Sequence, residues 1–327
     1  MLMSKRFVLL PLALMLLGPL SLATALANPK PAAAQQVVSQ GADVYRLRIG
    51  AVPVFALSDG SVAQDLHTLL HQTPAKTDAL LKRNFQANPV EASINAYLIQ
   101  LPGKLVLIDT GSGELFGPNA GGGLIASLER AGFKPEQITD ILITHLHSDH
   151  AGGLVNGGRR VFENATVHVE KPDLDFFFDA TAQQRTGYDQ KYFDIAAKTL
   201  KPYLDAGRVS PITADGEVVP GISATLHPGH TPGSAFFTLR NGGEELVFVG
   251  DIVHSVAVQF PDTAVTIAYD LDATGAARVR TEAFDEFARN ETLIAVPHAA
   301  FPGIGHVRRE PVGYAWVGLN YTNRNPD

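Results

Sequence analysis

Cysteine is absent from all 327 residues of this chain. Disulfide bonds are therefore excluded, and so is any metal site built on thiolate ligands. A run of basic residues is also missing, and the formal net charge is −7. Because proteins that bind nucleic acid usually carry a basic face, we expect no nucleic-acid partner. The acidic balance also disfavours a strongly anionic substrate.

Long apolar stretches are scarce too, and the one that is present lies at the N-terminus. Lys5-Arg6 precede an apolar stretch at 7–22, and Ala25-Leu26-Ala27 supplies the small residues that a signal peptidase recognises. This order predicts a signal peptide at 1–27, a periplasmic or secreted protein, and no membrane partner after cleavage. The alternative is an N-terminal membrane anchor, which the prolines within the apolar stretch disfavour.

The rest of the chain has the composition of a soluble globular domain. Hydrophobic residues make up 45% of the chain and charged residues 18%, which leaves enough apolar material for a sizeable core. Residues 28–41 are rich in Ala, Gln and Pro and are predicted to be flexible. Since no Pro/Gly/Ser-rich linker interrupts the remainder, a single domain is predicted at 42–327.

Strand and helix patterns are interleaved along this domain, which predicts an α/β fold. Alternating residues indicate a strand at 45–57, followed by a hairpin turn at Asp59-Gly60. A second hairpin is predicted around Pro102-Gly103, and a strand pair at 161–169. Further strands are predicted at 141–144, 222–226, 235–239, 246–249 and 293–296, and helices at 124–131, 174–204 and 274–288.

The most informative segment reads Thr-His-Leu-His-Ser-Asp-His at 144–150. Imidazole nitrogen and carboxylate oxygen are ligands that zinc and similar metals prefer. His145 and His147 are two residues apart and point the same way on an extended chain, whereas Asp149 and His150 follow on a turn and can face a second point. The alternative is a solvated loop that happens to be rich in histidine, which so dense a group of metal-binding side chains disfavours.

His-x-His-x-Asp-His is the signature of the metallo-β-lactamase superfamily, and the chain resembles this family further along its length. The other matching segments occur in the family's order; they are Ile108-Asp109-Thr110-Gly111, Gly229-His230-Thr231-Pro232-Gly233, Val249-Gly250-Asp251 and Pro297-His298. The resemblance begins near residue 46 and implies an αββα sandwich. In that fold two mixed β-sheets lie face to face, helices cover the outside, and metals bind at one sheet edge.

Within the superfamily, the chain is most similar to the methyl parathion hydrolase group, also called organophosphorus hydrolases. The strings that carry this narrower resemblance are Ala56-Leu57-Ser58-Asp59-Gly60, Leu115-Phe116-Gly117-Pro118, Ala257-Val258-Gln259-Phe260 and Phe301-Pro302-Gly303-Ile304-Gly305-His306. Membership of this group would imply a periplasmic homodimer.

The resemblance implies two divalent metal ions per chain, with zinc as the expected metal. The first site would consist of His145, His147 and His230, the second of Asp149, His150 and His298, and Asp251 would bridge the two. Two cations lower the pKa of a water between them, so a bridging hydroxide would be the nucleophile. Asp251 and Asp149 are the expected catalytic carboxylates, and Asp149 is also placed to accept a proton.

Three further positions are informative. Asp109 is a candidate neighbour of the expected ligands, and His254 and Ser234 differ from the residues usual in the related hydrolases. Asp109 is either a partner that orients a histidine ligand or a turn aspartate before Thr110-Gly111. His254 stands where the related hydrolases tend to be apolar, and it either lines the substrate pocket or packs in the core. Ser234 replaces a histidine that is not a ligand, so the metal site is unaffected. The other histidines are predicted to be surface or hydrogen-bonded core residues; they are His67, His71, His168, His227 and His306.

A pocket with apolar walls over the metals is also expected from the resemblance. The residues assigned to substrate binding are Phe116, Phe177, Tyr192, Phe193, His254, Ile267 and Tyr269. Apolar walls around a charged metal centre suit a neutral substrate with an aromatic leaving group. Any single aromatic residue can instead belong to the core, and at least one of Phe176, Phe177 and Phe178 is expected to do so.

These observations predict a metal-dependent hydrolase that cleaves small neutral esters, with organophosphate triesters as the leading substrate class. The alternative enzyme is a lactonase or arylesterase, active on acyl-homoserine lactones among others, for which phosphotriester cleavage is incidental. His254 and Tyr269 favour this alternative slightly, since both can donate hydrogen bonds to a lactone.

Three other functions are disfavoured. A β-lactamase would be expected to place a cysteine in the second metal site, where this chain has Asp251. A non-catalytic binding protein would not need an intact ligand set, and a di-iron redox role would need a flavin domain for which the chain has no room.

Overall fold

The computed structural model describes residues 43–322. The signal peptide and the flexible segment predicted at 1–27 and 28–41 therefore lie outside the described residues. The strands in chain order are β1 (Val44–Ile49), β2 (Val52–Gln64), β3 (Val90–Leu101), β4 (Lys104–Ile108), β5 (Asp140–Ile143), β6 (Val155–Asn156), β7 (Arg159–Arg160), β8 (Thr166–Glu170), β9 (Val209–Ile212), β10 (Gly216–Val219), β11 (Ile222–Leu226), β12 (Ala235–Asn241), β13 (Glu244–Phe248), β14 (Leu293–Ala295), β15 (Ile304–Arg309) and β16 (Tyr314–Gly318).

The α-helices are mostly short, apart from two long ones in the second half of the described region. In chain order they are α1 (Leu66–Leu69), α2 (Pro74–Arg83), α3 (Leu124–Arg130), α4 (Ser148–Ala151), α5 (Lys171–Phe177), α6 (Ala182–Thr186), α7 (Gln190–Asp205), α8 (Val256–Gln259) and α9 (Ala273–Asn290). Single 3-10 turns lie at Pro135–Gln137, Gly152–Leu154 and Gly250–Ile252. Among the helices of residues 43–322, none is long and apolar enough to cross a bilayer.

Two seven-stranded sheets form the centre of the molecule. The first sheet has the order β1-β2-β3-β4-β5-β8-β9, and the second has the order β10-β11-β12-β13-β14-β15-β16. Both sheets are mixed, because β4, β5, β8 and β9 run parallel in the first and β13 and β14 run parallel in the second. A separate two-stranded ribbon is formed by β6 and β7.

Apolar side chains fill the space between the two sheets. Leu142 of β5 and Ile99 of β3 meet Phe237 of β12 and Phe248 of β13 in one buried cluster. The neighbours of Leu142 in the strand, Ile141 and Ile143, belong instead to a cluster on the other face of the first sheet. β5 is thus apolar on both faces, as expected for a parallel strand covered on both sides.

Helices cover the outer face of each sheet. Leu128 of α3 and Leu200 of α7 pack on the first sheet, and Val279 and Phe284 of α9 pack on the second. The layers across the sandwich are therefore helix, sheet, sheet and helix. This arrangement confirms the predicted αββα sandwich.

The hairpin turn predicted at Asp59-Gly60 is wrong. β2 continues through these residues with a bulge between Ser58 and Gly60, and the chain turns earlier, between β1 and β2. The reason is that the Asp59 carboxylate accepts hydrogen bonds from the backbone N–H groups of Ser112, Gly122 and Leu124, at 2.8, 2.9 and 3.0 Å. The aspartate holds two loops against the strand rather than forming a turn.

The strand pair predicted at 161–169 is also wrong. β7 pairs with β6, and β8 instead lies parallel between β5 and β9. Val167 and Val169 of β8 are fully buried, so this strand needs partners on both sides and a cover on both faces. The 161–165 segment connects the ribbon to the sheet.

Candidate metal centre

The seven predicted metal ligands all follow strands that end at one edge of the sandwich. β5 ends at Ile143 and delivers His145 and His147, and α4 begins directly afterwards with Asp149 and His150. His230 lies in the loop between β11 and β12. Asp251 follows β13 in a short 3-10 turn, and His298 follows β14. The structure thus brings together residues that lie up to 153 positions apart in the sequence.

Three imidazoles form the first cluster. His147 Nδ1 lies 3.1 Å from His145 Nε2 and 2.9 Å from His230 Nε2. Asp251 Oδ2 faces the same point, at 3.6 Å from His145 Nε2 and 3.4 Å from His230 Nε2. Separations near 3 Å between ligand atoms are of the size expected around one tetrahedral zinc with bonds of about 2 Å.

The second cluster uses the other oxygen of the same carboxylate. Asp251 Oδ1 lies 3.1 Å from both His150 Nε2 and His298 Nε2. Asp149 completes the group, with Oδ2 at 3.5 Å from His298 Nε2 and Oδ1 at 3.9 Å from His150 Nε2. Because one Asp251 oxygen faces each cluster, this carboxylate has the geometry of a bridge between two cations.

Unpaired polar atoms indicate that the clusters suit metal ions. His150 Nε2, His298 Nε2 and Asp251 Oδ1 are buried and have no hydrogen-bond partner among the described residues. A buried polar atom without a partner is costly, and a cation placed between these atoms removes that cost. The donor set of imidazoles and carboxylates, without thiolates, matches the preference of zinc and similar divalent metals.

Burial and neighbouring charges shift the pKa values of these side chains in both directions. Burial lowers the pKa of His145 and His147 well below the usual value, with the neighbouring imidazoles adding to the effect, so both rings are neutral. Burial also opposes the charged form of Asp251, but the surrounding histidines outweigh it and hold the pKa of this carboxyl well below its usual range. The other three rings shift the opposite way: burial opposes their charged forms, but Asp251 and neighbouring carboxylates outweigh it and raise the pKa of His150, His298 and His230, the last to about 9. Because metal binding requires neutral imidazoles, a cation would have to displace protons from these three rings.

The ligand rings are held in place from behind by hydrogen bonds at their second nitrogen. His150 Nδ1 lies 2.8 Å from Asp109 Oδ2, and His230 Nδ1 lies 2.8 Å from Asp270 Oδ1. His147 Nε2 lies 2.7 Å from the Tyr188 hydroxyl. His298 Nδ1 donates to the Ser93 carbonyl at 2.8 Å. Such contacts fix which nitrogen faces the metal and raise the affinity of the site.

The structure places Asp109 as a partner of a histidine ring and not as a turn aspartate before Thr110-Gly111. Its backbone has a positive φ of 58°, which aspartate tolerates, and its Oδ1 accepts the N–H of Thr144 at 2.8 Å. Its other oxygen contacts His150. Asp109 therefore shapes the loop that precedes His145 and orients a ligand in the second cluster.

Three supporting residues were missed in the sequence. They are Tyr188 and Asp270, which contact ligand rings, and Asp173, which contacts the ligand loops. Asp173 is fully buried and accepts the N–H of Leu146 at 3.0 Å and the N–H of Gly233 at 2.6 Å. It therefore ties the loop of His145 and His147 to the loop of His230. No local pattern marks these three positions.

A cavity of about 560 Å³ opens over the clusters. Its lining includes Phe116, Tyr192, His254 and Tyr269 of the predicted pocket residues, together with the ligands His147, Asp149 and Asp251. Apolar side chains of Val62, Leu69, Leu115 and Ile195 complete much of the wall. A mostly apolar cavity with a few convergent polar groups is the usual form of a small-molecule site.

The remaining predicted pocket residues do not line this cavity. Phe177 and Phe193 are buried and pack on Phe176. The Phe177 and His147 rings form a T-shaped contact with their centroids 6.2 Å apart. Ile267 is fully buried, pairs with Leu70 and belongs to the apolar cluster against which Tyr269 packs. Phe177 and Phe193 instead line a separate groove. The role of the pocket residues in substrate binding stays a prediction.

The histidines outside the ligand set have other contacts. Ring contacts are made by His67 to Asp78, His71 to Thr266, His168 to Asp140, His227 to Phe236 and His306 to the Thr292 carbonyl. His254 differs, because both of its ring nitrogens are buried without a hydrogen-bond partner in the described region. Its Nε2 lies 3.1 Å from Asp251 Oδ2, so it stands beside the bridge.

Comparison with known proteins agrees with this geometry. Residues 90–298 match the family model described as the metallo-beta-lactamase superfamily. An N-acyl homoserine lactonase of Bacillus cereus is 31% identical over 126 residues, which span 38% of this chain and 42% of that relative. The chain thus covers less than half the length of this curated relative.

Two solved structures are similar over most of the chain. A crystal structure of the hydrolase AbOPH in the beta lactamase superfamily has a TM-score of 0.82 and 33% identity, and the match covers 87% of this chain and 100% of that one. AidC, a dizinc quorum-quenching lactonase in complex with a homoserine product, has a TM-score of 0.77 and 27% identity over 86% of this chain and 98% of that one.

Proposed function

The chain belongs to the metallo-beta-lactamase superfamily, and from this premise we propose that it is a dinuclear zinc hydrolase whose main substrates are lactones. The observation that carries the proposal is the Asp251 carboxylate, which directs one oxygen to each of two ligand clusters beside an apolar cavity. Paired metals of this kind suit the hydrolysis of neutral esters.

Lactones take the place of phosphotriesters as the leading substrate class. The relatives named above include an N-acyl homoserine lactonase and a dizinc quorum-quenching lactonase. The cavity supports the same choice, because His254 and Tyr269 bring polar groups into its wall, where they can bind a lactone oxygen. Phosphotriesters stay a second candidate, since Phe116, Tyr192 and Tyr269 suit an aromatic leaving group.

The side chains of this site have separate roles in the proposed reaction. When bound, the metals would polarise the ester carbonyl and lower the pKa of a water molecule. Asp109, Asp270 and Tyr188 hold the ligand rings so that the correct nitrogen faces inward. Asp149 lines the cavity and is partly exposed, so it can accept a proton from the attacking water and pass it to the leaving alkoxide.

The number and role of the metals are tested by Asp251→Ala. We expect elemental analysis of the active protein to give about two ions per chain. The variant should lose metal and at least about 100-fold in activity while keeping its circular dichroism spectrum, because the sandwich core lies elsewhere. One ion per chain in fully active protein, or near-normal turnover of the variant with two ions bound, would contradict the bridging role of Asp251.

The substrate class is tested by a panel on zinc-reconstituted protein. Catalytic efficiency is compared for an N-acyl homoserine lactone, an aryl ester, a nitrophenyl phosphotriester and a β-lactam. The proposal expects the lactone to be the best substrate by about tenfold or more, because it alone combines a strained ester with a polar substituent. A phosphotriester that outperformed the lactone would restore the order expected from the sequence.

Export and assembly are proposed on the sequence alone. The signal at 1–27 supports cleavage after Ala27 and a periplasmic or secreted protein, and the family resemblance supports a homodimer. N-terminal sequencing of protein from the periplasmic fraction, and its mass by light scattering, test the two parts separately.

A further inference from the structure

Besides His254 and the candidate ligand Asp251, the wall of this cavity contains a further side chain with an unpaired polar atom, Gln64. Gln64 ends β2, lines the cavity and is 7% exposed. Its Oε1 is buried without a hydrogen-bond partner among the described residues. An unpaired buried oxygen costs stability, and its position beside the candidate site points to a partner that arrives with the substrate.

A second buried glutamine near the same cavity shows the contrast. Gln259 accepts the N–H groups of His254 and Ser255 with Oε1, at 2.7 and 3.1 Å, and donates from Nε2 to the Val265 carbonyl at 3.1 Å. Its amide is fully used to hold the segment that carries His254. Gln64 has no such structural task, although it is almost as buried.

The backbone around Gln64 is rigidly held. Gln64 pairs with Val90 at the end of the β2–β3 ladder, and Asp65 caps α1 directly afterwards. Asn88 binds Asp65 at 2.6 Å and accepts the Leu66 N–H at 2.7 Å. The side chain is therefore presented from a fixed position, while rotation about its last torsion lets either the oxygen or the NH₂ group face a ligand.

We propose that Gln64 recognises an amide in the substrate, so that the site selects lactones with an N-acylamino substituent over lactones without one. This inference rests on the proposed lactonase function. A primary amide can accept the substrate N–H and donate to the substrate acyl carbonyl, which no hydrocarbon side chain can do. The apolar walls formed by Val62, Leu69 and Leu115 are suited to the acyl chain that such a substituent carries.

The test is Gln64→Met, which keeps the length of the side chain and removes the amide. Two substrates are compared: an N-acyl homoserine lactone, and a γ-lactone with an alkyl chain of equal length and no amide. We expect KM for the N-acyl lactone to rise about tenfold or more, and the efficiency on the alkyl lactone to stay within about twofold. The thermal midpoint should be unchanged or higher, because an unpaired buried amide has been removed.

The control is Gln72→Met, the same substitution in a different groove formed by α2, Phe260 and Trp316. Gln72 also has a buried amide atom without a partner, so this variant should share any gain in stability but not the change in KM. If Gln64→Met changed the kinetics on both lactones equally, or on neither, the proposed role of Gln64 would be wrong. The proposed lactonase function would be unaffected by that result. If the unaltered protein hydrolysed neither lactone, the proposed function would fail, and the substrate assignment of Gln64 would fail with it.

Discussion

His254 stands between the metal clusters and the substrate cavity. Its Nε2 is 3.1 Å from Asp251 Oδ2, and its ring stacks on the ring of His298 with centroids 5.4 Å apart. It also lines the cavity beside Tyr269. A side chain in this position can act on the substrate or on the metal shell, and the two roles have different consequences when it is replaced.

We expect His254→Ile to change substrate preference more than stability or metal content. The apolar side chain adds contact for the substituents of a phosphotriester and removes a hydrogen bond available to a lactone. The ratio of phosphotriester to lactone efficiency should therefore rise about 10-fold, within the 1–3 kcal/mol typical of one pocket contact. Steady-state kinetics on both substrates, with zinc content measured in parallel, provide the check. A parallel fall of both activities together with metal loss would instead place His254 in the metal shell.

The clustering of the candidate metal ligands could be predicted from the sequence because four of them lie close together in the chain. His145, His147, Asp149 and His150 occur within one short segment, so their spacing alone indicates a metal site. Their supporting partners carry no such signal. Tyr188 is 41 residues from His147 and Asp270 is 40 residues from His230, and only the folded chain brings each pair together.

At the scale of single elements, the N-terminal turn of α5 links two ligand loops. Asp173 accepts one hydrogen bond from the loop of His145 and His147 and one from the loop of His230. Gly233 has no side chain, and a Cβ at this position would lie within 2.8 Å of Asp173 atoms, so the close approach requires glycine. The position of the first metal cluster depends on this contact.

We expect Asp173→Asn to weaken zinc binding at the first cluster by about tenfold. An amide offers one acceptor where the carboxylate offers two, so one of the two loops loses its hydrogen bond. Zinc affinity is measured by competition with a chromophoric chelator. The control is Asp175→Asn on the same helix, since Asp175 is exposed and, among the described residues, its side chain binds only Lys171. Equal zinc affinities of the two variants would contradict a positioning role for Asp173.

Glu170 directly precedes α5, and its pKa leads us to expect that the free energy of unfolding depends on pH. Burial raises the pKa of Glu170 from 4.5 to about 7, and Asp215 and Asp173 add repulsion. The native state thus holds this proton more tightly than the unfolded state does. The stabilisation is complete below about pH 4.5 and is lost as the pH rises through about 7.

Glu170→Gln should therefore raise the free energy of unfolding above pH 7, by roughly 1–3 kcal/mol, and change it little at pH 5. Urea unfolding at both pH values measures the difference. Glu163→Gln serves as the control, because Glu163 is exposed. A gain of the same size at pH 5 and pH 8 would show that proton binding by Glu170 is not the cause.

The elements that were predicted correctly are those with strong local signals. The hairpin at Pro102-Gly103 and helix α9 follow from turn residues and from helical periodicity. Errors occurred where a distant contact decides the local structure. Asp59-Gly60 has the composition of a turn, yet three backbone N–H groups from other loops hold Asp59 inside β2. β15 and β16 were not predicted, because their register depends on pairing with β14.

At the scale of the whole molecule, the two halves of the sandwich meet at the ligand clusters. The first sheet supplies His145 and His147 after β5, and the second supplies Asp251 and His298 after β13 and β14. His147 Nδ1 lies within 3.1 Å of two other ring nitrogens, and His150 Nε2, His298 Nε2 and Asp251 Oδ1 have no hydrogen-bond partner among the described residues. Cations bound among these atoms would therefore stabilise the contact between the two sheets as well as the proposed reaction.

We expect removal of zinc to lower the thermal midpoint by roughly 10 °C. A ligand at about 1,000 times its dissociation constant stabilises the native state by about 4 kcal/mol, and each kcal/mol shifts the midpoint of a domain of this size by about 2–4 °C. Calorimetry before and after chelation measures the loss, and added zinc should restore it. Asp251→Ala should show a much smaller shift, because it binds less metal in the first place. An identical midpoint for the chelated and the zinc-loaded protein would mean that the sheets hold the seven side chains together without help from the metal.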